Sequence, residues 1–154
     1  MIMSELKKEE LNIRLLKSDD FDALVQLDSI LLNGEERKDY WEKKFAVFRL
    51  RHPNLSLVAT MGDRVVGYVM GNISGWEFGV KAGIGWVELI GVHPDVQKKG
   101  IAKQLILELL RQFKALNVKV VYTMVVATDP VIRKLFHSVG FEEGHMAQLE
   151  INLD

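Results

Sequence analysis

The 154-residue sequence predicts a mixed α/β domain. Segments of strand-like and helix-like apolar period alternate along the chain. Hydrophobic residues make up 48% and charged residues 27%, an ordinary globular mixture for a length that suits one sizeable core. An apolar run ends at His93-Pro94, a short basic turn follows, and Gly100 opens a long amphipathic segment.

Residues 12–16 read as a first strand. Ser18-Asp19-Asp20 offers a cap before Phe21, Ala23, Leu24, Leu27, Ile30 and Leu31, an apolar set at helical spacing. Asn33-Gly34 breaks that helix, and Glu35 to about Leu50 forms a second, more charged one that ends before His52-Pro53. Residues 55–61 and 64–73 pair as a hairpin around Gly62-Asp63. The stretch from Gly71 to Gly83 is glycine-rich and holds Trp76 and Phe78. Residues 84–92 form a strand, 100–116 a helix and 118–127 another strand. Residues 118–126 are apolar on both faces, which places that strand centrally in a sheet. Residues 129–139 form a short helix, Gly140-Phe141 a turn, and 146–153 a last strand. No repeat, low-complexity segment or linker divides the chain, so 1–154 reads as a single domain.

The net charge is −1, which does not suit a nucleic-acid binder. The charge is uneven, however. From Gln97 to Lys119 six basic residues (Lys98, Lys99, Lys103, Arg111, Lys114, Lys119) stand against one acid, Glu108. There are no cysteines, so disulfides, thiolate nucleophiles and cysteine metal sites are excluded. The four histidines (His52, His93, His137, His145) lack metal-ligand spacing. The first ten residues are too charged for an apolar signal core, and no apolar run approaches membrane-spanning length. A cytoplasmic protein is the default expectation.

The segment from Ile90 to Lys103 carries the most chemistry. A strand leading into a glycine and a helix start places free backbone N–H groups and lysines at a positive helix end. Phosphate groups are the usual guests of such a site, and a glycine lets them approach the main chain. The residue pattern Gln97-Lys98-Lys99-Gly100-Ile101-Ala102, with Val92-His93-Pro94 upstream, resembles the Gln/Arg-x-x-Gly-x-Gly/Ala signature of the GNAT acyltransferase superfamily. Asp129 to Phe141 resembles that family's Asn-x-x-Ala-x-x-Leu-Tyr-x-x-x-Gly-Phe helix. Together the two motifs make the resemblance span nearly the whole chain, from about Asn12 to Leu153.

That resemblance implies a mixed, mostly antiparallel sheet of about seven strands with four helices, splayed where acetyl-CoA lies. It implies an acetyl-CoA-dependent N-acetyltransferase, with the cofactor held by Ile90, Gly91, Val92, Gln97, Lys98, Lys99, Gly100, Ile101, Ala102, Lys103, Asp129 and Phe136. Backbone N–H groups near Ile90-Gly91-Val92 would pair with the pantetheine arm and the carbonyl, and a β-bulge at Gly91 would free them. Glu88 interrupts the apolar run Trp86-Val87-Glu88-Leu89-Ile90 and is the general-base candidate. An amine would attack directly, since no cysteine is present to form an acyl-enzyme. The resemblance implies a primary amine of a small molecule or protein as the acceptor and leaves room for a homodimer.

The second motif departs from the family. The usual tyrosine that protonates the leaving thiolate is Phe136 here, the asparagine is Asp129 and the alanine is Ile132. Tyr122, Tyr68 or a water is left as the candidate general acid, or the thiolate leaves unassisted. A catalytically impaired acyl-CoA-binding module is the alternative that this departure motivates, and a nucleotide-binding α/β domain is a second. For the acceptor side the family points to the first two helices and the loop between the third and fourth strands. Here those carry Asn33-Gly34-Glu35-Glu36 and Ser74-Gly75-Trp76-Glu77-Phe78-Gly79, acids beside aromatics that suit a cationic amine.

Overall fold

The computed structural model describes residues 10–75, 79 and 83–154. In chain order its elements are β1 (Leu11–Leu15), α1 (Phe21–Leu31), α2 (Lys38–Arg51), β2 (Ser56–Met61), β3 (Arg64–Ser74), β4 (Ile84–Val92), α3 (Ile101–Ala115), β5 (Val120–Thr123) and α4 (Pro130–Ser138). The strands form one sheet in the order β1-β2-β3-β4-β5. The first three pairings are antiparallel, and β4 and β5 run parallel.

Strand alternation distributes the core between two faces. Leu57, Ala59, Val69 and Val87 pack with Leu105, Leu109 and Phe113 of α3. Val58, Tyr68 and Met70 pack the other way, with Leu24 and Leu27 of α1 and Trp41, Phe45 and Phe48 of α2. The helices have the spacing this needs: Trp41, Phe45 and Phe48 recur at four and three residues, as do Leu105, Leu109 and Phe113 at four. β2 is buried along its whole length because both layers cover it.

Three expectations are corrected. The sheet has five strands among the described residues, not about seven. The strand expected at 118–127 is shortened to Val120–Thr123 and is an edge rather than a centre. Its neighbour β4 stays paired with it only as far as Val87↔Thr123, so residues 124–127 have no ladder to join. The strand expected at 146–153 does not form: Leu149, Ile151 and Leu153 are 92%, 80% and 89% exposed. The alternating pattern there is real, but a ribbon with one apolar side gains nothing without a surface to cover.

Candidate active site

The site begins with a slip in the strand alternation. Across β3 and β4, Met70 pairs with Leu89 but Gly71 pairs with Val87, so Glu88 is the extra residue of a β-bulge. A bulge lets two successive side chains take one face. Leu89 packs with the α1–α2 core, and Glu88 points the same way, to Asn72 and Lys44. Val87 and Ile90 flank this pair and pack with the α3 side. The Asn72 amide donates to Glu88 Oε1 at 3.1 Å, and Lys44 Nζ lies 3.8 Å from Oε2. The Glu88 side chain is 32% exposed.

Beyond this bulge β4 and β5 part. The Thr123 hydroxyl donates to the Val87 carbonyl at 2.9 Å and closes the last rung of the fork. At the far end Gln97 Nε2 donates to the Val92 carbonyl at 2.9 Å. Between these two points the edge of residues 88–92 away from β3 has no strand beside it among the described residues. A hollow of about 220 Å³ occupies the fork, bordered by Glu88, Ile90, Met124, Asp129, Ile132 and Phe136.

Past β4, His93 Nδ1 accepts from the Asp95 N–H at 3.1 Å and shapes a 3₁₀ turn, Pro94–Val96. Lys98 and Gly100 then adopt positive φ, +62° and +81°. This left-handed geometry turns the chain into α3, and it favours glycine at position 100. A Cβ added to Gly100 would meet nothing within 4 Å. The amide N–H groups of Gly100, Ile101, Ala102 and Lys103 find no acceptor among the described residues. The first turn of α3 has no acid and no side-chain cap. The result is a positive helix end with open space at the glycine, next to the unpaired edge of β4.

Gly91 is in a different position from the one expected. It pairs in register with Tyr68, and the bulge lies three residues earlier, at Glu88. A Cβ on Gly91 would sit 2.7 Å from Leu31 Cδ1 and 2.8 Å from the Tyr68 ring. The glycine is required there by close packing against α1 and β3. Asp129 caps α4, its Oδ1 accepting from the Val131 and Ile132 N–H groups at 3.0 and 3.2 Å. Phe136 is 5% exposed and meets the Phe141 ring edge-on at 5.1 Å. It presents a hydrocarbon wall to the fork.

The two tyrosines lie apart from the fork. Tyr122 packs on Trp86 at 5.3 Å where β4 and β5 are still paired, and it is not among the hollow's lining residues. Tyr68 is buried edge-on to Trp41, and burial raises its phenol well above the ordinary value. Of the expected acceptor-side residues, Trp76, Glu77 and Phe78 lie outside the described residues. Glu35 and Glu36 are exposed and line neither hollow. A second hollow of about 290 Å³ lies against Glu88 on the α2 side, walled by Lys43, Lys44, Arg51, His52 and Asn72 over Val47 and Phe48. Sequence reading missed Asn72, Thr123 and this basic wall. Lys44 and Arg51 stand seven residues apart on one helix, two turns, and that spacing was the available signal for the wall.

A split strand pair ending at an uncapped helix start is an α/β arrangement whose positive end would favour an anion. The sequence pattern described as acetyltransferase (GNAT) family matches residues 18–141. The chain belongs to this family, whose acetyltransferases use acetyl-CoA. An acetyltransferase of Pectobacterium atrosepticum is 28% identical over 137 residues, 86% of this chain and 88% of that protein. One from Sodalis glossinidius is 28% identical over 137 residues, 86% and 87% of the two chains. Among solved structures, the aminoglycoside N-acetyltransferase AAC(6')-Iy in complex with CoA has a TM-score of 0.78 at 19% identity, covering 94% of this chain and 95% of that one. A transcriptional regulator from Bacillus halodurans C-125 has a TM-score of 0.78 at 17% identity, covering 94% and 100%. These two structural likenesses are likenesses of fold.

Proposed function

We propose that this protein transfers an acetyl group from acetyl-CoA to a primary amine, with Glu88 as the proton acceptor. The observation that carries the reading is the run of free amides at Gly100–Lys103 beside the unpaired edge of β4, with Glu88 at the fork. The residues fit the cofactor. The α3 amides, with Lys98, Lys99 and Lys103 around them, would hold the pyrophosphate. The open edge of residues 88–92 would hold the pantetheine arm as an added strand would be held.

Bound acetyl-CoA supplies an activated acyl group: overall, an N–C bond replaces the S–C bond, the amine loses a proton and CoA leaves as the thiol. This chain's part is to bring the amine to Glu88 and take its proton. Asn72 fixes the carboxylate through one oxygen and leaves the other to Lys44 and the acceptor side. Backbone donors on the open edge stabilise negative charge on the acyl oxygen. The Lys98 and Lys99 side chains are exposed and act as a diffuse positive field. The fold shared with a CoA-bound aminoglycoside N-acetyltransferase supports the reading.

Phe136 favours a second reading. It puts a ring without a hydroxyl against the fork, and Tyr122 and Tyr68 lie away from it. A module of this kind would bind acetyl-CoA without turning over any amine. Calorimetric titration with acetyl-CoA, against CoA, ATP and NAD, tests the binding. Selective micromolar binding followed by turnover is the expected result. Binding without turnover would select the impaired module, and preference for ATP or NAD would reject both.

A further inference from the structure

α2 turns Trp41, Phe45 and Phe48 into the core, and this leaves Lys43, Lys44 and Arg51 along the hollow beside Glu88. His52 follows directly at the helix end. Four basic residues thus share one hollow with a single acid, and that acid is Glu88. Lys44 is engaged with Glu88 at 3.8 Å and lies over the Tyr40 and Phe48 rings. Lys43, Arg51 and His52 have no acidic partner among the described residues. Part of this charge suits a helix C-terminus, which favours cations in its last turn. Lys43 and Lys44 lie outside that turn.

Glu88 also borders the fork, so it is the one titratable residue shared by the two hollows. An amine that reaches Glu88 from the α2 side has its remaining atoms in the basic hollow. A polycation placed there meets like charge, while an acid meets unpaired cations. The hollow, about 290 Å³, is at the small end for ligand sites.

We propose that the acceptor is a small amine bearing an acidic group, carboxylate or phosphate. Its nitrogen lies at Glu88 and its acid against Lys43, Lys44, Arg51 and His52. This rests on the acetyl-transfer reading above and replaces the cationic acceptor that the sequence suggested.

The test compares ethanolamine, β-alanine, 2-aminoethyl phosphate and ethylenediamine, which share a 2-aminoethyl group and differ in what it carries. CoA release is followed with a thiol reagent, and the protein contributes no background because it has no cysteine. The expected result is a kcat/KM about tenfold or more higher for an acidic member than for ethanolamine, with ethylenediamine lowest. Which acid is faster distinguishes carboxylate from phosphate. In Lys43→Glu/Arg51→Glu the ratio of acidic to neutral kcat/KM falls about tenfold, through KM. Preference for ethylenediamine, or an unchanged ratio in the variant, overturns the proposal. If acetyl-CoA binds but no member turns over, this acceptor assignment fails, and the transfer reading falls only if no other amine is acetylated. Calorimetry with 2-aminoethyl phosphate then reads the basic hollow on its own. Tighter binding to the wild type than to the variant sustains the anion site, and equal or absent binding removes it.

Discussion

Asn72 and Glu88 face each other across the β3–β4 bulge, with the amide Nδ2 of one 3.1 Å from the Oε1 of the other. Without the bulge, the two-residue period would turn Glu88 and Leu89 to opposite faces. The bulge therefore decides that the carboxylate looks toward α2 while standing in the fork.

Glu88→Gln keeps the size and the contact with Asn72 but cannot take a proton. The expected loss in kcat is about a hundredfold or more, with acetyl-CoA affinity within about threefold of wild type. A pH–rate profile of the same shape in both proteins would remove Glu88 from the proton-transfer role.

Gly100→Glu should weaken acetyl-CoA binding by about a hundredfold, since a side chain and a negative charge enter the proposed phosphate position. The positive φ adds about 1–2 kcal/mol of strain, so a melting curve accompanies the titration. A folded variant with wild-type affinity would show that the phosphates lie elsewhere.

Gly91→Ala separates packing from binding. Its new methyl would meet Leu31 and Tyr68 inside contact distance, at a cost of about 1–3 kcal/mol. Thermal unfolding should shift down by several degrees while the folded fraction binds acetyl-CoA normally. Unchanged stability would contradict the tight approach of α1 to β4.

Asp28 and Arg37 tie α1 to the start of α2 by two bonds, 2.7 and 2.9 Å, and the Asp28 side chain is only 3% exposed. Burial pushes the Asp28 carboxyl up, and the Arg37 guanidinium outweighs it, holding the carboxyl below its usual range. A carboxyl lowered by folding contributes stability that is whole above its unfolded value, near pH 4, and is lost as pH falls through the folded value. Arg37→Met should cost about 3 kcal/mol at pH 7, with the gap to wild type narrowing below about pH 4. Urea titrations at pH 7 and pH 3 would read this, and an equal gap at both would mean the ion pair is not its source.

Deleting residues 145–154 removes no buried side chain. The melting temperature should stay within about 2 °C of wild type, as for exposed changes generally. A drop of several degrees would mean that this segment pairs with a sheet edge in solution.

The local elements were legible because local rules make them. The hairpin at Gly62-Asp63 and the apolar faces of α1 and α3 follow from turn chemistry and helical period. Gly100 was legible for the same reason: a left-handed turn before a helix is a property of a few consecutive residues. Phe136 was recognised from the motif alone as a departure, and the structure gives it an apolar wall to form.

The position of the bulge was not legible. Gly91 looked like the irregular residue, but register depends on what the opposite strand offers, and Gly71 and Met70 on β3 place the extra residue at Glu88. The edge position of β5 was hidden for a similar reason. An apolar run on both faces is consistent with a central strand, yet pairing ends where β4 leaves it at Val87. The tail carries a strand's alternation, yet its apolar side chains stay exposed among the described residues.

By itself the sequence determined the order of helices and most strands, the glycine turn before α3 and the family, each encoded over short spans or fixed spacings. Tertiary structure alone decided which way Glu88 faces, that Gly91 serves packing, and that Lys43, Lys44, Arg51 and His52 join it around one hollow. Those outcomes depend on long-range strand register and helix docking, where one residue of slip turns a side chain to the opposite face.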